Sequence, residues 1–205
     1  MKQLISINNY DAYKKRQWKK VDRLYELKLF SKHVNIISKL PVEDKFRKDC
    51  EIICVGARYG IEIEAFKQLG FVNVKAIDIY PRSNEIIKAD MHNLPFDDNS
   101  FDIVYTHHSL DHSLFPLKAV KEMFRVSRKC AFWIHTVPFN DYGIEEAIDF
   151  DTPEEITDFF GNYTKEIIYR QSVMRNENGF IEPPGFCLPT GWRNELRIVL
   201  EINKQ

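Results

Sequence analysis

Four cysteines in 205 residues, none spaced as Cys-x-x-Cys, leave no disulfide framework and no zinc-finger spacing to read. Cys54 and Cys130 stand inside apolar, strand-like runs and read as small core residues. No apolar run approaches the ~20 residues needed to span a bilayer. The first residues lack the extended apolar stretch and small-residue cleavage site of a secretion signal. A reducing, cytoplasmic setting is therefore expected. There are no internal repeats and no low-complexity linker, and a net charge of −1 gives no global attraction to nucleic acid or an anionic membrane.

What is present is a globular composition, 44% hydrophobic and 13% aromatic. The charge is unevenly spread. Residues 1–50 carry 13 Lys/Arg against 6 Asp/Glu, a local +7, which leaves −8 for the remainder. Within that segment Trp18, Val21, Leu24, Tyr25, Val34, Ile37 and Leu40 recur at three- and four-residue steps, predicting an amphipathic helix over about residues 17–40 that Pro41 ends. The basic cluster Lys14, Lys15, Arg16, Lys19 and Lys20 around Trp18 reads either as a phosphate-gripping patch or as the solvated face of a docking helix. Residues 1–49 are thus expected to be a helical extension, with one α/β domain over residues 50–205.

That domain is organised around residues 51–60. The run Ile52, Ile53, Cys54, Val55 meets Gly56, Gly60 follows, and Gly70 stops the helix predicted after it. Strand, glycine turn and helix open a nucleotide-binding α/β unit, where glycine admits close approach and the helix N-terminus offers unpaired N–H groups. Further strands are predicted at 74–79, 85–90, 100–106, 130–137, 165–173 and 195–202. A helix over 117–128 should bury Leu117, Val120 and Phe124. A second should open on Thr152 as a capping box with Glu155 and Pro153, and close at Gly161. Only 12 residues separate Asp78 from Asp90, so no full helix fits between them.

Ligands of open α/β sheets bind beyond the carboxyl ends of the strands. That rule gathers the 56–60 turn, Asp78, Asp90 with Met91, and the segment Thr106-His107-His108-Ser109-Leu110-Asp111-His112 into one crevice. An ionised carboxylate at the end of the second strand suits both hydroxyls of a ribose, being acceptor-only. Three histidines invite a metal reading, but His107 and His108 point to opposite faces if extended, and no metal is expected. His135 reads as a satisfied core histidine.

The stretch Asp90-Met-His-Asn-Leu-Pro-Phe-Asp-Asp-Asn-Ser-Phe-Asp-Ile-Val-Tyr resembles the Asp…Leu-Pro-Phe…Ser-Phe-Asp-x-Val signature of class I S-adenosylmethionine-dependent methyltransferases. More narrowly it is similar to the ubiquinone/menaquinone-biosynthesis (type 11) subgroup, as are Leu110-Asp111-His112 and Glu122-Met-Phe-Arg125-Val126. The resemblance covers about residues 50–137. It implies a Rossmann-like three-layer sandwich, with a seven-stranded, mostly parallel sheet whose last strand is antiparallel. It implies S-adenosyl-L-methionine as cofactor, held by Gly56, Ala57, Arg58, Gly60, Asp78, Ile79, Asp90, Met91 and His107, and catalysis by His108, Asp111 and His112. Two residues depart from the pattern: Cys54 stands in place of the first-motif acid, and Arg58 in place of its middle glycine. A side chain at 58 disfavours a pyrophosphate, which needs close backbone approach there, more than it disfavours a cofactor without phosphate. Either Arg58 or Glu62 is a candidate to anchor the loop or the methionine end.

The expected function is methylation of a small-molecule acceptor at oxygen or nitrogen. The alternatives are a catalytically silent binding protein, suggested by Cys54 and Arg58, and a nucleic-acid methyltransferase, suggested by the basic N-terminal segment. The second lacks the Asn/Asp-Pro-Pro-aromatic motif usual for base amino groups. The loop 182–192, rich in proline, is expected to wall the acceptor pocket.

Overall fold

The computed structural model describes residues 2–3, 24–39, 47–139, 148–176, 179–181 and 194–204. In chain order they form β1 (Lys2–Gln3), α1 (Leu24–Ile37), β2 (Glu51–Val55), α2 (Ile61–Gln68), β3 (Asn73–Asp78), β4 (Ile87–Lys88) and β5 (Phe101–His107). A 3-10 turn (Leu110–His112) leads to α3 (Pro116–Val126), β6 (Ser127–Pro138), β7 (Ile148–Asp149), α4 (Pro153–Gly161), β8 (Thr164–Asn176), β9 (Gly179–Ile181) and β10 (Glu195–Ile202). The predicted helix over 17–40 is seen as α1; its first residues, the basic cluster and the 182–192 loop lie outside the described residues.

The main sheet has the order β4-β3-β2-β5-β6-β10-β8-β9. Strands β2 to β6 run parallel, and β10 is antiparallel to both β6 and β8, so β8 shares the direction of the parallel set. These are the seven strands expected, with the last strand antiparallel as expected. The three-residue β9 adds an eighth at the edge, and β1 with β7 makes a separate antiparallel pair. Because β8 ends and β10 begins at the carboxyl edge of the parallel strands, residues from the start of β10 reach that edge too.

Helices cover both faces, as the strands' two-sided burial requires. On one face α1 and α2 bring Ile36, Ile37, Ile63 and Phe66 onto Ile52, Cys54, Tyr105, Phe132, Ile134 and Val199. On the other, α3 and α4 pack Val120, Met123, Ile156 and Phe160 against Ile53, Val104, Trp133 and Ile198. Within α3 the buried stripe is Pro116, Ala119, Val120, Met123 and Val126, whereas Leu117 is exposed. The helix is rotated from the expected face because Pro116, its first residue, is itself buried. Thr152 caps α4 by accepting from the Glu155 amide at 3.2 Å, and Glu155 reaches back to the amide of Asp151 rather than of Thr152. Gly161 is the last residue of that helix, with Asn162 as its C-cap.

Cys130 is exposed, against expectation. Phe101 pairs with Ser127 but Ile103 with Phe132, so residues 128–131 stand opposite Asp102 alone. The resulting bulge turns Arg128, Lys129 and Cys130 outward before the strand enters the core.

The motif that carried the resemblance turns out to be an architectural clamp. Glu122 on α3 accepts from the amide of Leu94 (2.8 Å), and the Arg125 fork donates to the carbonyls of Leu94 and Phe96 and to the carboxylates of Glu122 and Asp98. That clamp fixes the chain between Asp90 and β5, and with it the geometry of the carboxyl edge.

Candidate active site

The turn after β2 is fixed by its neighbours. The amides of Gly56 and Ala57 both donate to the Ile77 carbonyl on β3, at 2.9 and 3.0 Å. Gly56 has φ +84, and a Cβ there would fall 2.4 Å from Cβ of Ser109. Ser109 in turn donates its hydroxyl to the Val55 carbonyl at 2.8 Å, locking the loops after β2 and β5 together. Gly60, with φ +80, is the N-cap of α2.

Asp78 ends β3 with its side chain almost buried. Its Oδ1 accepts from the Tyr80 amide at 2.6 Å. Burial raises its pKa, while the Tyr80 amide and the charges of Arg58 and His112 pull it back. Arg58 and His112 therefore both face Asp78, one from the β2 turn and one from the β5 loop. Ile79 and Met91 are half-buried beside these acids. Asp90 is more open and already engaged: its Oδ1 accepts from the His92 amide at 2.9 Å and lies 2.6 Å from His92 Nδ1. His92 passes the contact on to Ser113 at 2.7 Å.

The histidine segment after β5 does not splay to opposite faces. His108 takes φ +46, which folds its ring back to 4.6 Å from that of His107, edge-on. His107 meets His33 of α1 at 4.5 Å, and burial with the charges of His33, His108, Lys32 and Arg197 holds its pKa well below the usual imidazole range. His108 Nε2 donates to Glu195 Oε2 at 2.9 Å. Asp111 is buried with neither oxygen hydrogen-bonded, and its Oδ2 lies 3.8 Å from Nε2 of the partly exposed His112. His135 is buried and only half satisfied: Nδ1 lies 2.6 Å from Thr106 Oγ1, Nε2 has no partner, and the ring stacks on Phe160. Burial lowers its pKa to about 3.

Sequence reading missed four residues of this edge, Lys32, His33, Glu195 and Arg197, whereas Glu62 was already a candidate. Lys32 donates to Glu195 Oε2 at 2.9 Å, and Arg197 donates to Oε1 at 2.8 Å through Nε. Burial alone would raise the Glu195 pKa, but the His108 hydrogen bond and the charges of Lys32 and Arg197 outweigh it and hold it well below the usual carboxylate range. His33 Nδ1 is hydrogen-bonded to the Tyr105 hydroxyl, and burial holds its pKa down at about 3. A signal existed for His33, which falls three residues after Phe30 and four before Ile37, inside the apolar stripe of α1. Glu195 and Arg197 gave none, because their alternation with apolar residues imitates a strand with one wet face.

These residues fit S-adenosylmethionine. A carboxylate stands at the end of β3 for a ribose, and Glu62, Asp78, Asp90 and Asp111 suit a ligand that carries positive charge. The side chain at Arg58 would crowd a pyrophosphate, which this cofactor lacks. Among the described residues no cluster of metal-ligating side chains occurs, and no helix is long and apolar enough to cross a membrane.

Residues 53–132 match the family described as methyltransferase domain. A search among curated proteins finds no match. Among solved structures, the chain is similar to the YcgJ protein of Bacillus subtilis at 13% identity and TM-score 0.59, covering 85% of this chain and 99% of that one. A chain of the complex between the Haloferax volcanii Trm112 methyltransferase activator and a candidate methyltransferase aligns at 16% identity and TM-score 0.63, over 97% of each. A Thermotoga maritima S-adenosylmethionine-dependent methyltransferase, described as a possible histamine N-methyltransferase, aligns at 14% identity and TM-score 0.60, over 85% of this chain and 89% of that one. At such identities the structures establish the fold, and the domain match covers its residues 53–132. Residues 53–132 thus carry a methyltransferase domain on a fold shared with S-adenosylmethionine-dependent methyltransferases, which implies S-adenosylmethionine as the cofactor.

Proposed function

We propose that the chain methylates an oxygen or nitrogen of a small-molecule acceptor in the cytoplasm. The observation that carries this reading is the closure of the carboxyl edge beyond β5 and β6. Lys32 of α1 and His108 of the β5 loop both bond the same buried oxygen of Glu195, each at 2.9 Å, so a helix is tied down across the acceptor side. A walled edge suits a small acceptor better than a duplex or a protein surface. The likeness of residues 90–105 to ubiquinone/menaquinone-biosynthesis methyltransferases supports the same reading.

The bound cofactor supplies an electrophilic methyl group on a sulfonium. The protein's part is position and proton handling. In this reading Asp78 accepts the ribose hydroxyls, with Ile79 beside them. Gly56, Ala57, Arg58, Gly60 and His107 line the turn side, and Asp90 with Met91 takes the adenine. His112 is the base that receives the acceptor's proton, and the Asp111 carboxylate, 3.8 Å from its Nε2, stabilises the imidazolium. His108, spent on Glu195, positions the loop. The test is methyl-labelled cofactor offered with pooled small hydroxyl and amine compounds in one arm, and RNA, DNA or protein in others. Label in the small-molecule pool supports the proposal; label found only in a macromolecular arm contradicts it.

A further inference from the structure

Resting on the cofactor reading above, we propose that Glu62, backed by His33 of the N-terminal helix, receives the ammonium of the cofactor's amino-acid end, and that it gives up a proton as that end binds.

The placement follows from the sheet order and the three arms of a sulfonium. Strand β2 lies between β3 and β5. With the ribose at Asp78 beyond β3 and the methyl group turned to the loop after β5, the third arm falls beyond β2. Glu62 stands there, in the first turn of α2 just after Gly60. Its side chain is 12% exposed, so it is sheltered yet reachable. Its carboxylate takes a hydrogen bond from its own backbone amide and makes no other among the described residues. His33 Nε2 stands 3.9 Å from Oε1, too far for a hydrogen bond, and is itself buried without a hydrogen-bond partner. A buried acid and a buried imidazole nitrogen thus face one another, each short of a bond, which is costly unless a ligand completes the pair.

The surroundings set the proton behaviour. Glu62 is faced by His33 from α1, Cys54 from β2, Asp78 from β3 and Tyr105 from β5. His33 is neutral near pH 7, Asp78 is acidic, and neither Cys54 nor Tyr105 ionises there. None of these four groups supplies a positive charge to offset the cost of burial, and the Glu62 pKa rises to about 7. An arriving ammonium supplies the missing charge, favours the ionised form and expels the proton to solvent.

Calorimetric titration tests this with two probes: S-adenosylhomocysteine, which has the amino-acid end, and methylthioadenosine, which lacks it. Running each in buffers of different ionisation enthalpy counts protons. Expected is release of about half a proton at pH 7, rising toward one at pH 6, for S-adenosylhomocysteine and none for methylthioadenosine. Glu62→Gln should weaken S-adenosylhomocysteine about tenfold or more, abolish the release and leave methylthioadenosine unchanged. Proton release with both probes, or with neither, overturns the proposal, as does full affinity in Glu62→Gln. Failure of the wild type to bind either probe would instead remove the cofactor reading beneath it.

Discussion

Lys32 on α1 and Glu195 at the start of β10, 163 residues apart, form a buried ion pair at 2.9 Å. The pair ties the N-terminal helix to the strand that closes the sheet, and His108 shares the same oxygen. Replacing Glu195 by Leu deprives Lys32 and Arg197 of their carboxylate, and such a break costs about 3–5 kcal/mol. At 2–4 °C per kcal/mol for a chain of this size, the melting temperature should fall by roughly 10 °C. Lys32→Met added to Glu195→Leu should recover part of that loss, because the double change leaves one stranded cation fewer. Thermal denaturation of the two variants measures the coupling; additive losses would deny it.

Gly56→Ala should be among the most damaging single substitutions. The new Cβ would lie 2.4 Å from Ser109 Cβ on a backbone of φ +84. Combining a clash with left-handed strain, the loss should exceed about 3 kcal/mol. Ser109→Gly in the same chain should relieve the clash but not the strain, restoring some stability, whereas Ser109→Ala should restore none. Chemical denaturation of the three variants distinguishes these outcomes.

Stability should fall steeply with acid. His33 and His135 are held at about 3 and His107 well below its usual range, so the folded chain stays unprotonated where the unfolded chain, near 6.5, takes up to three protons. Each such imidazole contributes a loss of up to about 1.4 kcal/mol per pH unit as pH drops below 6.5. Glu62 acts oppositely. Its pKa of about 7 exceeds the ordinary 4.5, so its contribution falls as pH rises through that window. Three against one leaves a net slope of about 3 kcal/mol per pH unit near pH 5.5. Glu195, held low, adds its own loss only below its ordinary 4.5. Denaturation midpoints that were flat or falling from pH 5 to 6.5 would show these imidazoles to be solvated.

The fold was legible because its signals are local. Parallel strands buried on both faces read as continuous apolar runs, and Gly56, Gly60 and the Thr152 cap mark their turns. The acids at the carboxyl edge, Asp78 and Asp90, were legible from position alone, since strand ends share one edge. What was not legible depends on partners distant in sequence. The bulge exposing Cys130 arises from β5–β6 register. The meeting of His107 with His108 follows from one positive φ. The Lys32–Glu195–Arg197 cluster exists because α1 packs over that face of the sheet, hiding the side of β10 its alternation would put in water. The Leu-Pro-Phe segment was the most specific signal for the family, and it marks the Arg125 clamp rather than the chemistry.

His112 and His108 should separate kinetically. His112→Ala removes the proposed base, lowering turnover by about 10²–10⁴ while leaving S-adenosylhomocysteine affinity within a few-fold. His108→Ala should instead loosen the loop, lowering both affinity and melting temperature. Turnover measured on the acceptor identified by the labelling screen decides; equal turnover in His112→Ala and wild type would remove it as base.

The most direct test of the account is the affinity of the carboxyl-edge crevice for the cofactor product. Titrating S-adenosylhomocysteine calorimetrically into wild type, Asp78→Ala and Asp90→Ala compares the two acids. Asp78 loses charged hydrogen bonds to two hydroxyls, each about 1.5–3 kcal/mol, so binding should weaken at least tenfold. Asp90→Ala should cost less, because its Oδ1 is already bonded to His92. Saturable binding by wild type with that order of loss is the predicted result. A folded Asp78→Ala that binds as tightly as wild type, or a wild type that does not bind, would contradict it.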